Sequence, residues 1–316
     1  MSLDYLHRHK EYRDVIQAVA DEKSISPDLV EKDYWIMHCL YSLTQQGYFY
    51  ELKGGTSLSK GFGIIHRFSE DIDIRIEPPS EANVAIGKNQ DKAKHRESRK
   101  AFYDQLAQEI SIDGIDEVIR DHAFDDDRYR SGGIRLKYTS CNPTSAGVKE
   151  GILLEVGFDS VTPNRKVDIS SWVLDFSKQH RLSVKNNLAT NIVCYEPGYT
   201  FVEKLQTIAT KYRNQQERGV MPKNFMRHYY DVYCLLEDES VKDFIGTDAY
   251  GAHKLSRFPI VDYQIPIAEN EAFILSDSET RKLYKENYQA TAELYYQEQP
   301  SFEKLLDRIH SVIDQL

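Results

Sequence analysis

The chain has few cysteines and no long apolar run. Its four cysteines are far apart and form neither a CxxC pair nor a cysteine–histidine spacing typical of zinc sites: Cys39, Cys141, Cys194 and Cys234. No apolar run approaches the roughly 20 residues that span a membrane. The first residues, MSLDYLHRHKEYRD, lack the apolar stretch of a signal peptide. We therefore expect a cytoplasmic protein that binds no zinc and no membrane.

Acidic residues outnumber basic residues, 50 to 40. The 316 residues carry a net charge of −10, which argues against a non-specific nucleic-acid binder. One local exception is a basic patch between residues 88 and 100. Its members are Lys88, Lys92, Lys94, Arg96, Arg99 and Lys100. Such a patch is commonly a solvated helix face, and the alternative is a track for an RNA backbone.

The most informative stretch is residues 52–76, LKGGTSLSKGFGIIHRFSEDIDIRI. Its first part joins a Gly54-Gly55 turn to two small hydroxyl residues, Thr56 and Ser57. A glycine turn that leads into a helix offers backbone N–H groups and the positive helix end to a phosphate. This pattern predicts a phosphate-binding turn.

The second part of the stretch places two aspartates in an apolar alternation. Asp71 and Asp73 alternate with isoleucines, so both carboxylates lie on one face of a predicted strand. Two adjacent carboxylates repel each other unless a cation lies between them, and hard oxygen ligands suit Mg²⁺ or Mn²⁺. An Asp-x-Asp pair alone is more often a solvated strand face. The glycine turn before it favours phosphoryl or nucleotidyl transfer.

These motifs together resemble a known signature. Gly-Gly-Thr/Ser followed by Asp-x-Asp on a strand resembles the DNA polymerase β-type nucleotidyltransferase superfamily. The fuller string GGTSLSK…RFSEDIDI resembles the AbiEii/AbiGii abortive-infection toxin family. The resemblance covers residues 26–76 and, less closely, residues 150–236. It includes EKDYWI at residues 31–36, a segment that we expect to pack against the catalytic core.

A third carboxylate is expected on a neighbouring strand. Glu155 is the only acid within the apolar segment ILLEVGF, and burying such an acid is unfavourable unless it meets a cation. Asp159, at the end of that segment, is the alternative. The resemblance implies that an acid in a comparable strand completes the metal site, so we predict Asp71, Asp73 and Glu155 as catalytic metal ligands.

Several cations could offset the charge of a triphosphate. Lys60 lies one helical turn beyond Thr56 and can lean back towards the glycine turn. Arg67 and Ser69 precede the aspartates. Each residue alone would more often be a surface residue, but within this motif we predict nucleotide contacts for all three, as for the turn residues Gly54, Gly55, Thr56 and Ser57.

A second constellation lies in the later helical part. VEKLQTIATKYR contains Lys204, and FMRHYYDVYCLL contains Arg227 and Asp231, which share a helix face at i, i+4 and could pair. The resemblance implies that Lys204 is catalytic and that Arg227 and Asp231 contact the nucleotide. The alternative is a helix–helix salt bridge that holds the lobes together.

Periodicity and resemblance together predict an α+β protein with a nucleotidyltransferase-fold mixed β-sheet flanked by helices. An N-terminal helical segment would span residues 1–47, the catalytic domain 48–185 and a mainly helical domain 186–316. Within the first segment, a capping serine followed by proline at Ser26-Pro27 predicts the start of a helix that carries apolar residues at helical spacing. Strands are expected at 48–53, 68–76, 133–139 and 151–158, with a turn at 141–148 joining the last two. Helices are expected at 56–65, 92–110, 201–213, 224–236, 278–298 and 302–316.

The resemblance implies a metal-dependent nucleotidyltransferase that moves an NMP from an NTP to an acceptor hydroxyl and releases pyrophosphate. The acceptor would be an RNA such as the 3′ end of tRNA. The setting would be a bacterial toxin–antitoxin or abortive-infection system with a cognate antitoxin. Transfer to a small molecule or protein side chain is the alternative within enzymes. A non-catalytic nucleotide-binding protein is the other, and the intact carboxylates argue against it.

Overall fold

The computed structural model describes residues 3–143 and 149–316, and its N-terminal part is helical. Helix α1 spans Tyr12–Lys23, and α2 spans Pro27–Gln45 with Ser26 as its N-cap and proline at its first position, as the sequence predicts. Helix α2 is enclosed on nearly all sides. Its buried residues include three consecutive charges, Glu31, Lys32 and Asp33.

A mixed β-sheet follows in the described part of the chain. Its strands are β1 (Tyr50–Lys53), β2 (Asp71–Ile76), β3 (Glu117–Asp121), β4 (Ser131–Lys137), β5 (Ile152–Gly157), β6 (Asn164–Ile169) and β7 (Ala189–Tyr195). They are ordered β3-β4-β5-β2-β1-β7-β6. Strand β2 lies between antiparallel β1 and parallel β5. This sheet, flanked by helices, confirms the predicted α+β class.

The strands predicted from alternation are present. The antiparallel β4–β5 pair matches the predicted hairpin, although the turn predicted at 141–148 lies partly outside the described residues. Other elements were not recognised in the sequence, among them β3, β7 and the short helix at Trp172–Gln179. Because β7 pairs in parallel with β1, the sheet extends past residue 185, where the sequence analysis ended the catalytic domain.

The helix in the connection from β1 to β2 is shorter than predicted. Helix α3 spans Gly54–Thr56 and continues as a π-helical turn at Ser57–Gly61. The predicted helix to residue 65 therefore ends four residues early. Gly63 beyond it has a left-handed φ of +66°, which is incompatible with helix.

The chain divides into two compact units. Unit 1 contains residues 1–61 and 69–195, and unit 2 contains residues 62–68 and 196–316. The remaining helices of unit 1 are α4 (Ala93–Glu109) and α5 (Trp172–Gln179). The short segment 62–68 is therefore part of unit 2, although it stands between the glycine turn and β2 in the sequence.

Unit 2 is helical. Its helices are α6 (Pro197–Arg218), α7 (Arg227–Leu235), α8 (Glu239–Phe244), α9 (Asp248–Arg257), α10 (Ile260–Tyr263), α11 (Glu271–Ile274), α12 (Ser278–Gln289) and α13 (Phe302–His310). Its core contains an aromatic cluster around Phe302, whose ring centre lies 5.5 Å from Tyr229 and 5.6 Å from Tyr288. Segment 62–68 is fastened here because the Phe68 N–H donates to the Leu294 carbonyl at 2.7 Å. None of the described helices is both long and apolar enough to cross a membrane.

Candidate active site

Strand β2 presents two carboxylates on one face. Ile72, Ile74 and Ile76 are buried, while Asp71 and Asp73 on the opposite face are half-buried. The hydroxyl of Thr56 donates to the backbone carbonyl of Asp71 at 2.5 Å and ties the start of β2 to the glycine turn. The alternation expected from the sequence is therefore present and faces the turn.

Glu155 lies beside these carboxylates. It is the register partner of Asp73 in the parallel β2–β5 pair, so the two side chains share a face. Burial, followed by the negative charges of Asp73 and Asp71, raises the pKa of Glu155 to about 8. Asp159 is exposed and lies beyond the end of β5. Adjacency thus favours Glu155 over Asp159 as the third carboxylate.

The donor set is suited to a divalent cation. Three carboxylates on two adjacent strands supply hard oxygen ligands, and their mutual repulsion is the feature that a cation would relieve. Among the described residues, no three histidine, cysteine, aspartate or glutamate side chains are already gathered in a metal-binding arrangement. The carboxylates would have to close around an ion.

Gly54 is required by its surroundings. Its φ is +72°, and an added Cβ would lie 2.2 Å from Oδ2 of Asp73. The Ser57 hydroxyl donates to the Gly54 carbonyl at 2.9 Å. The hydroxyls of Thr56 and Ser57 therefore hold the shape of the turn against β2, and the turn with Gly55 approaches the carboxylates closely.

Lys60 is engaged within unit 1. Its ammonium lies 2.5 Å from the buried carboxylate of Asp33 on α2 and 5.2 Å from the ring centre of Trp172. Asp33 also accepts from the Trp172 N–H at 2.8 Å. Burial raises the pKa of Asp33, and the charge of Lys60 opposes that shift. This pair fastens the π-helical turn to α2, and the predicted phosphate contact of Lys60 is untested.

Sequence reasoning missed Lys149. Its ammonium lies 3.2 and 3.0 Å from the two carboxylate oxygens of Asp71. Its backbone N–H donates to Glu70 Oε1 at 2.9 Å, and its carbonyl accepts from Lys32 at 2.5 Å. The only available signal was a lysine shortly before the strand that carries Glu155.

The three charged residues at positions 31–33 of α2 each contact another segment of unit 1. Glu31 accepts hydrogen bonds from the Ser140 hydroxyl at 2.6 Å and from the Cys141 N–H at 3.1 Å. Lys32 pairs with Glu70 at 3.1 Å, next to Asp71 in the chain. The segment packs into the core, as expected, and its charges also connect it to the site.

Ser69 and Arg67 lie on opposite sides of a unit boundary. Ser69 is half-buried in the chain just before β2 in unit 1. Arg67 belongs to unit 2, where its guanidinium makes two 2.7 Å hydrogen bonds to the carboxylate of Asp231. The nucleotide contacts predicted for both residues remain predictions.

Asp231 is the centre of a buried network in unit 2. Besides Arg67, Lys204 on α6 approaches its carboxylate at 2.8 Å. Burial alone would raise the pKa of Asp231, but the two cations lower it below its usual range. A salt bridge between α6 and α7 is therefore present, but both helices belong to unit 2, whereas the alternative drawn from the sequence was a salt bridge that holds the lobes together. Arg227 is the first residue of α7, and its predicted nucleotide contact is untested.

Two further residues enlarge this network. The Lys211 ammonium lies 3.1 Å from Nε2 of His228. Burial, followed by the charges of Lys204 and Arg227, lowers the pKa of Lys211 to about 8. The sequence offered no signal for Lys211 because one lysine on a long helix is ordinarily solvated.

The basic patch is smaller than the sequence suggested. Arg99 is buried, and its guanidinium donates to the backbone carbonyls of Arg128, Ala85 and Gln90. Arg96 pairs with Asp91 at 3.0 Å. Arg99 is therefore a structural residue and was wrongly included as a potential RNA contact. Lys88, Lys92 and Lys94 are exposed.

Comparison with known proteins identifies the family of the chain. A family model described as nucleotidyl transferase AbiEii toxin, type IV toxin–antitoxin system, matches residues 38–308. A comparison with curated proteins finds no match. Because the family match covers most of the chain, the protein belongs to the AbiEii family of nucleotidyl transferase toxins of type IV toxin–antitoxin systems.

Proposed function

We propose that the protein is a metal-dependent nucleotidyltransferase that moves an NMP from an NTP to an acceptor hydroxyl and releases pyrophosphate. The observation that carries this proposal is the grouping of Asp71, Asp73 and Glu155 on one face of β2 and β5, beside the Gly54 turn. Family membership supports the same reaction class.

The three carboxylates would hold Mg²⁺ or Mn²⁺. Bound there, the metal supplies charge neutralisation at the triphosphate and lowers the pKa of the acceptor hydroxyl. Backbone N–H groups of the turn containing Gly54, Gly55, Thr56 and Ser57 would bind phosphate oxygens. With the metal on the three carboxylates and the phosphates on the turn, the reacting phosphate would lie between the turn and β2.

Glu155 is suited to proton transfer. Because its pKa is raised to about 8, the carboxylate of Glu155 is a stronger base than an ordinary carboxylate once it is deprotonated, and in that form it could accept the proton of the acceptor hydroxyl. Asp73, its register partner, is the other candidate for this role. Lys60, Arg67, Ser69, Lys204, Arg227 and Asp231 are retained as proposed nucleotide or catalytic residues on the strength of the resemblance.

We propose an RNA acceptor such as the 3′ end of tRNA, in a bacterial toxin–antitoxin or abortive-infection setting with a cognate antitoxin. The description of the matching family as a type IV system supports the setting. The exposed lysines Lys88, Lys92 and Lys94 support an RNA contact.

A different acceptor is the second candidate. The burial of Arg99 and the pairing of Arg96 leave the basic patch with fewer available charges, and the whole chain is acidic. These observations favour transfer to a small molecule or a protein side chain by the same carboxylates.

The deciding experiment incubates the protein with Mg²⁺, total bacterial RNA and each of the four α-³²P-labelled NTPs. We expect label in a tRNA-sized band with wild type and none with the Asp71→Ala/Asp73→Ala variant. The matched control is Asp14→Ala, which removes an exposed acid on α1 and should label as wild type does. No label in RNA would reject the RNA acceptor. The same NTPs would then be tested with protein extract and small acceptors.

A further inference from the structure

We propose that Lys149 neutralises Asp71 before metal and nucleotide bind, and then exchanges that carboxylate for the oxygens of the triphosphate. This inference rests on the proposed function. It assigns a role to a residue that neither the motifs nor the family match identifies.

The backbone of Lys149 is fixed on both sides. Its N–H donates to Glu70 Oε1 at 2.9 Å, and its carbonyl accepts from the Lys32 ammonium at 2.5 Å. Lys32 and Glu70 are themselves buried and paired at 3.1 Å. Because Glu70 precedes Asp71 directly, the same charge pair anchors the start of β2 and the residue that carries the ammonium.

The side chain of Lys149 is free to move by comparison. It is 33% exposed, and its ammonium contacts both oxygens of a carboxylate that is 19% exposed. A lysine–carboxylate pair that water still reaches contributes less stability than a fully buried pair, so we expect the ammonium to leave Asp71 without unfolding the chain. A compact charge on a flexible four-carbon stem is suited to such an exchange.

The charge balance gives the exchange its direction. Asp71, Asp73 and Glu155 crowd one face, and Lys149 is the cation seen on the first of them. If Asp71 held a metal ion, that ion would repel the ammonium of Lys149. Phosphate oxygens of a triphosphate bound at the same site would then offer the ammonium a new anionic partner. Removing the charge of Lys149 should therefore strengthen binding of the metal alone and weaken binding of a triphosphate.

The test uses the full-length protein with Lys149→Met. We expect Mn²⁺ alone, followed by electron paramagnetic resonance, to bind about fivefold tighter than to wild type because the competing ammonium is gone. Inorganic tripolyphosphate with saturating Mg²⁺, followed by calorimetry, should bind about fivefold weaker or worse. A purely structural role for Lys149 would move both affinities downward.

Two variants complete the design. Lys137→Met removes a lysine of matched exposure, 32%, whose partner is Glu117 at 3.1 Å, and it should change neither affinity. Lys149→Arg keeps the charge and should restore tripolyphosphate binding. An unchanged Mn²⁺ affinity in Lys149→Met, with wild type binding Mn²⁺ and transferring label, would overturn the inference alone. Wild type that binds no Mn²⁺ would overturn both the inference and the proposed function.

Discussion

At the scale of single residues, Gly54 sets the distance between the glycine turn and β2. Gly54→Ala would place a Cβ 2.2 Å from Oδ2 of Asp73, in addition to the strain of a φ of +72°. We expect Asp73 to be displaced and nucleotidyl transfer to fall at least about 100-fold, as removing a key catalytic contact commonly does. The label-transfer assay measures the loss.

Gly219→Ala is the matched control for this substitution. Gly219 also has a left-handed φ, +66°, but an added Cβ there would meet nothing within 4 Å. Both variants carry a strain of about 1 kcal/mol, and only the change at Gly54 disturbs a carboxylate. Equal activity in the two variants would contradict the role assigned to the turn.

Asp231 illustrates a buried charge that its partners require. Asp231→Asn would leave Arg67 buried without its carboxylate and Lys204 without its partner. We expect the free energy of unfolding to fall by about 3–5 kcal/mol in urea titrations. Glu117→Gln, in an exposed pair, should change it by less than about 1 kcal/mol. A small effect at Asp231 would show that water solvates the network.

The pH dependence of stability follows from Glu155. Its folded-state pKa of about 8 lies above its usual value, so protonation of Glu155 stabilises the folded state relative to the unfolded state. That contribution is fully present below about pH 4 and is lost as the pH rises through about 8. In EDTA, the Tm difference between wild type and Glu155→Gln should therefore shift against wild type as the pH rises from about 5 to 9. A pH-independent difference would contradict the crowding of the carboxylates.

At the scale of elements, the exposed part of the basic patch lies at the start of α4. Changing Lys88, Lys92 and Lys94 together to serine should reduce label transfer to RNA about tenfold or more, because contacts to phosphate dominate the binding of nucleic acids. Transfer to a small acceptor should be unaffected. Arg99→Ser should instead lower the Tm, because the buried guanidinium of Arg99 donates hydrogen bonds to three backbone carbonyls. Undiminished RNA labelling in the triple variant would favour the second acceptor class.

Helix α2 shows what periodicity does and does not reveal. Its start at Ser26-Pro27 and its apolar positions were recognisable, since capping and helical spacing are local properties. The roles of Glu31, Lys32 and Asp33 were not, because charged residues on a helix are ordinarily solvated. Their partners, such as Glu70 and Lys60, become neighbours only when β2 and the π-helical turn pack against α2.

The strands differ in how clearly the sequence predicts them. Alternation identified β2 and β4, and a continuous apolar run identified β5. Strand β3 (EVIRD) is short and charged, and β7 (ATNIVCY) carries polar residues, so neither shows a clear two-residue period. Their pairing is decided by the strands beside them.

At the scale of the whole molecule, segment 62–68 belongs to unit 2 while both flanking segments belong to unit 1. We predict that a chain ending at residue 195 becomes sensitive to trypsin after Arg67. In the full chain Arg67 is 4% exposed and bound to Asp231, and Phe68 is bound to Leu294. Mass spectrometry of limited digests measures the cleavage. Equal protection of Arg67 in both chains would show that unit 1 alone orders this segment.

The sequence by itself determined the α+β class, the glycine turn and the paired aspartates, and it narrowed the third carboxylate to Glu155 or Asp159. Each of these depends on local period, turn chemistry or an acid conspicuous among apolar neighbours. Only the tertiary structure decided which charged groups pair. Arg67 and Lys204 both bind the carboxylate of Asp231, and Lys60 pairs with Asp33. Arg99 is buried, and the ammonium of Lys149 binds the carboxylate of Asp71. These pairings join residues far apart in the sequence. A charged side chain carries no local sign of the partner that burial will force it to find.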